Sequence, residues 1–274
     1  MTAVEFQWFF LAVSLTLWIN LIWRWKQFGW PLPFRLRRSV PWHPIEAVMI
    51  IVIVLFVVAA ALQQFFVTQP IKSGAPLDPD FSLRQIQVQC LSQVIGLLLI
   101  PALLSLWHLC YWADFGLTRR DWNVDLQAGC WGVLLAILPV KLLEWPVQSL
   151  RVDSPHPLFE LLRSSSDNRF ILAWVAFQVI VLAPLIEELL FRVILQGALS
   201  RESTPSVAII LTSAAFVGIH QPVDWAPLLP LALILGYVYY RRQSYLAVVV
   251  LHGIFNGLNL ILALATFPTP EPSL

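Results

Sequence analysis

Eight long apolar stretches decide what this chain can become. They cover residues 4–23, 45–67, 88–112, 126–150, 170–200, 206–220, 226–240 and 245–266. A bilayer's hydrocarbon core is about 30 Å thick, and about 20 apolar residues in a helix cross it. Lipid offers no hydrogen bonds, so such stretches become helices whose backbone groups are satisfied internally. The expected fold is all-α: a polytopic membrane protein of eight transmembrane helices, one domain over 1–274, with a polar site inside the bundle. Composition agrees, with 58% hydrophobic and only 12% charged residues, where soluble domains carry about 25% charged. A net charge of +1 gives no footing for nucleic acid. Cys90, Cys110 and Cys130 fall in or beside apolar stretches without a CxxC spacing. They read as small buried hydrophobes rather than a disulfide or metal set. The first stretch lacks a basic leader and a small-residue cleavage site, so it is expected to stay as a span.

The loops carry the orientation. Arg24, Lys26, Arg35, Arg37, Arg38, Arg119, Arg120, Arg201, Arg241 and Arg242 fall in the odd-numbered loops, ten against five in the even-numbered ones. That bias places the odd loops in the cytoplasm and both termini outside it. Trp23, Trp25, Trp42, Trp112, Trp122, Trp145 and Trp225 sit near span ends, where an aromatic belt is expected. The loop 151–169 reads either as a short helix in the interface or as an ordinary polar loop. The Pro-rich tail 267–274 reads as disordered. Lys141 and Glu144, three apart, are expected to pair.

Against this apolar background three charges stand out. Glu187, Glu188 and Arg192 lie within an otherwise apolar stretch. Each costs about 2.5–3.5 kcal/mol at mid-membrane on insertion scales. Glu188 and Arg192 are four apart and can pair on one helix face, which reads as structural support. Glu187 lies about 100° further round and must find hydration, a proton or a partner across the bundle. Pro184, one turn earlier, removes a backbone donor and can kink the helix.

Two other stretches bring polar groups to the same layer. Phe216 and His220 end the sixth, and His252 and Asn256 share a face of the eighth. At about 1.5 Å per residue from the odd-loop end, Glu187 and His220 both lie roughly 21 Å deep. His252 and Asn256 lie roughly 12 and 18 Å deep on the same measure. Alone, His220 would read as an interfacial histidine, Asn256 as glue between helices, and Phe216 as packing. Together they read as a site. A carboxylate at the edge of an apolar region can act as a general base, and a His and an amide on one face can meet an oxyanion.

These residues resemble a known family. Glu187-Glu188-x-x-x-Arg192, Phe216-x-x-x-His220 and His252-x-x-x-Asn256 are similar to the motifs of the CPBP intramembrane proteases, also called Abi, which include type II CAAX prenyl endopeptidases. The motifs follow in order on successive helices from Pro184 to Asn256; the N-terminal half carries none. The resemblance implies an intramembrane endopeptidase with a catalytic core at about 170–266 and additional spans over 1–169. It implies that Glu187 activates water with help from His220, and that His252 and Asn256 stabilise the oxyanion. Glu188 and Arg192 would hold the helix. Its substrate would be a membrane-associated protein or peptide, of the CAAX prenylated kind.

Other readings stay open at this point. The family has also been described as metal-dependent, in which case Glu187, His220 and His252 would hold a zinc ion. A transporter could use the same residues as a proton relay, and a scaffold could use them as glue. The bilayer is the expected partner throughout, and the sequence does not set an oligomeric state.

Overall fold

The computed structural model describes residues 3–29, 32–35, 38–66, 79–118, 120–149 and 168–266. The described residues form helices joined by turns. In chain order these are α1 Ala3–Phe28, α2 Pro44–Phe66, α3 Pro79–Trp107, α4 Trp122–Glu144, α5 Arg169–Glu202, α6 Pro205–Gly218, α7 Trp225–Arg242 and α8 Tyr245–Thr266. Seven of them are long and apolar enough to cross a membrane. The exception leaves the eighth expected span unconfirmed: α6 has 14 residues, about 21 Å of helix. It stops at Gly218, and a 3-10 turn over Pro222–Asp224 follows before α7. His220, expected as the last residue of that span, therefore lies in the turn beyond it. Residues 151–167 of the loop between α4 and α5, on which both loop readings rest, and the tail 267–274 lie outside the described residues.

Helix starts follow local chemistry. Asn168 accepts from the Phe170 and Ile171 amides at 3.1 and 3.3 Å. Thr204 caps Val207, with Pro205 as the first helical residue. Both satisfy amides that a helix leaves unpaired at its start. At the start of α2, Glu46 accepts from the His43 amide at 2.8 Å.

The bundle is built around α4 and α5. α4 packs against α1, α7 and α8, while α5 packs against α3, α6 and α8. The odd-numbered loops meet at one end. There Asp125, 1% exposed, accepts from Arg35 and from Arg242 at 2.9 Å each. Arg201 donates to Pro41 O at 2.9 Å. Trp42 departs from the expected belt. It is fully buried, stacks on Phe115 with ring centroids 5.3 Å apart, and donates to Ile194 O at 3.1 Å. The loop before α2 folds inward, and an indole N–H taken from water needs an acceptor. Of the three free cysteines only Cys90 is buried; Cys110 is half-buried and Cys130 exposed, so the expectation of three buried thiols holds for one. Lys141 and Glu144 pair at 2.6 Å.

Candidate active site

Helix α5 is not regular. Arg169–Phe177 is α-helical, Gln178–Leu182 has wide π turns, Ala183–Glu188 returns to α, Leu189–Gln196 is wide again, and Gly197–Glu202 closes as α. Pro184 accounts for the first wide segment. A proline ring clashes with the carbonyl four residues back, here Ile180, and widening the turn relieves the clash. The same proline strands an acceptor. Ala183 N–H goes to Gln178 O, and Pro184 has no N–H, so Val179 O lacks both regular donors. The Asn256 amide supplies one at 3.0 Å. Gly253 lies over the neighbouring carbonyl: a Cβ there would come 2.7 Å from Ile180 O. α8 can approach α5 this closely only with glycine at that position.

The α turn between the wide segments carries Glu187 and Glu188 in different directions. Glu188 is fully buried. One carboxylate oxygen lies 3.2 Å from Arg192 Nε, and the other accepts from His252 Nδ1 at 2.8 Å. A carboxylate accepts, so Nδ1 carries the hydrogen and Nε2 is the working nitrogen. That nitrogen lies 3.8 Å from Glu187 Oε2, and the Glu187 side chain is 20% exposed. Glu187 thus reaches across the bundle while Glu188 does two jobs, of which sequence spacing indicated only the Arg192 contact.

Phe216 is the hub. It is fully buried, with ring centroids 4.9 Å from His220, 5.7 Å from His252 and 5.4 Å from Phe191. The Arg192 guanidinium lies 5.2 Å from its ring centre, within cation–π range. His220 Nδ1 donates to Phe216 O at 2.8 Å. That carbonyl is one of the four that a helix end leaves open. A carbonyl can only accept, so His220 also presents Nε2.

The structure therefore gathers Glu187, Glu188, Arg192, Phe216 and His252 into one cluster. His220 joins it through the Phe216 ring, while Asn256, one turn beyond His252 on α8, bonds Val179 O. The zinc expectation finds no ligand set. Among the described residues no group of three His, Cys, Asp or Glu side chains is arranged to hold a metal ion. Both histidines bond through Nδ1 and keep Nε2 free, and of the three proposed ligands only Glu187 and His252 are in contact, at 3.8 Å. Sequence reasoning missed Tyr245, whose hydroxyl donates to Leu185 O at 2.6 Å. Its spacing held the signal: it lies seven residues before His252, two turns along the same face.

Seven membrane-length apolar helices and a carboxylate–histidine cluster between them define an all-helical integral membrane protein. Residues 169–258, the segment that contains the whole cluster, match the family described as Type II CAAX prenyl endopeptidase Rce1-like. The match covers about a third of the chain, and what it shows is a likeness of that segment to a family of CAAX-type proteases. No curated protein and no solved structure matches the chain.

Proposed function

We propose that this chain is an intramembrane endopeptidase that hydrolyses a peptide bond in a membrane-associated substrate of the CAAX prenylated kind. The observation that carries this reading is Glu187, partly exposed beside the buried Glu188–His252 pair, with its Oε2 3.8 Å from His252 Nε2. In this reading a water molecule binds on the exposed side of Glu187. Glu187 takes one proton from the water as its oxygen attacks the scissile carbonyl, and His220 assists. The same proton passes to the leaving amine as the C–N bond breaks. Oxyanion stabilisation falls to His252 and Asn256. For His252 this asks for a hydrogen on Nε2 as well as on Nδ1, that is, for the imidazolium. For Asn256 it uses the second amide hydrogen, since the first is on Val179 O.

In this reading the catalytic core is 170–266, the odd loops face the cytoplasm and both termini face away. A reporter fused after Arg242 should read cytoplasmic. Purified protein in liposomes with a prenylated peptide ending in a CAAX sequence tests the chemistry. Glu187→Gln keeps the shape and removes the base, so turnover should fall about 10²–10⁴-fold. His220→Ala should fall comparably, and the double variant should fall no further, because groups acting as a unit lose non-additively. Wild-type turnover in Glu187→Gln would end the proposal.

A further inference from the structure

At the C-terminal edge of the turn that carries Glu187, one backbone donor serves two carbonyls. Leu189 N–H, which an α-helix would give to Leu185 O alone, is divided between Leu185 O and Ile186 O. Leu185 O, two residues before Glu187, therefore shares its helix donor with Ile186 O and has a lone pair to spare. The Tyr245 hydroxyl completes it from α8 at 2.6 Å.

Tyr245 can serve as a fixed strut because its own backbone is fixed. Its amide donates to Gly116 O at 3.1 Å. Ser244 Oγ, one residue earlier, caps the Ala247 amide at 3.2 Å. Gly116 has φ 71°, and a Cβ there would lie 2.8 Å from Tyr245 N, so glycine alone admits this docking. Next to it Phe115 stacks on Trp42, whose indole donates to Ile194 O in the second wide segment. The turn around Gly116 thus anchors donors to α5 on both sides of Glu188.

We infer that Tyr245 is a positioning residue for Glu187: its hydroxyl sets where the α turn ends and the wide turn begins, and so the direction in which Glu187 leaves the helix. The residue touches neither water nor substrate in this role. A shift of about 1 Å at a reacting group can cost about 10²-fold in rate, which a single lost strut at the boundary of a wide turn can produce.

The kinetic arm of the test rests on the peptidase reading above; a second arm does not. Tyr245→Phe keeps the ring and removes the donor. In liposomes with the prenylated peptide, kcat should fall about 10-fold to 10²-fold while KM stays within about twofold and folded yield is unchanged. Labelling of Glu187 by an apolar carbodiimide, read by mass spectrometry, should change in rate, because the carboxyl is presented differently. Asn259→Ala is the control. Its amide donates to Phe255 O of its own helix, and it should leave kcat and labelling as in wild type. Wild-type kcat and wild-type labelling in Tyr245→Phe would overturn the inference. So would a kcat loss matched by an equal loss of folded protein. If wild type itself turns over no peptide, the peptidase reading fails and the labelling arm alone decides whether Tyr245 positions Glu187.

Discussion

Among the carboxylates buried in the described residues, Asp125 and Glu188 each have two partners and are built differently. Asp125 joins parts of the chain far apart in sequence. Arg35 comes from the loop after α1 and Arg242 from the end of α7, both at 2.9 Å. Those arginines are themselves well used: Arg35 also donates to Thr118 and to Arg120 O, and Arg242 to Pro33 O. Glu188 takes its cation from its own helix. Arg192 lies near at 3.2 Å, but without hydrogen-bond geometry, and all three guanidinium nitrogens lack a hydrogen-bond partner among the described residues. At Arg242 only Nη2 does. A pair within one helix cross-links nothing. What Glu188 gains across the bundle is His252. One buried charge cluster ties the fold together at the loop end, and the other spends its charge on holding an imidazole.

That contrast ranks the substitutions. Asp125→Ala removes the acceptor that two arginines share and should cost folded protein the most, at the upper end of the range for a broken buried pair, about 5 kcal/mol. Peptidase activity per folded molecule should survive. Arg192→Leu should cost the lower end, about 3 kcal/mol, because the contact it breaks is poorly aligned. It should also lower activity per folded molecule, since Glu188 is then free to move and His252 with it. Denaturation of the purified variants in detergent, with activity normalised to folded protein, measures both. Equal stability losses with unchanged specific activity in Arg192→Leu would erase the distinction between lock and holder.

The difference between the two clusters also marks what the sequence could show. Hydropathy and length identify the helices, since lipid leaves few alternatives. Glu187, Glu188 and Arg192 stand out because charge is costly there. The spacing rules find the Arg192 contact, since it is local. They do not find Glu188–His252, sixty-four residues apart, or the Asp125 clamp, because ion pairing between distant segments has no period. Trp42 misleads for the same reason: a tryptophan near a span end reads as belt until the loop is seen to fold inward. The wide turns of α5 were half legible. Pro184 announces an irregularity, but which carbonyl it strands, and which residue of α8 covers it, depends on the packing of two helices.

That stranded carbonyl gives the smallest and most discriminating prediction. Asn256 has one amide hydrogen on Val179 O and a second that the proposed mechanism gives to the oxyanion. Asn256→Ala removes both. Stability should fall by about 1–3 kcal/mol, the cost of leaving a buried acceptor unpaired, and turnover should fall about 10²–10³-fold, the scale of a lost oxyanion donor. Pro184→Ala restores a backbone N–H beside Val179 and Ile180. In that background Asn256→Ala should destabilise less, with a coupling of about 1 kcal/mol between the two positions. Turnover, relative to Pro184→Ala alone, should remain low, because a backbone donor to Val179 O cannot reach a substrate. If turnover recovers together with stability, Asn256 acts only as a brace between α8 and α5 and the oxyanion is left to His252. If neither recovers, the Pro184 account of the wide turn is wrong, and the Val179 bond is incidental to how the two helices meet.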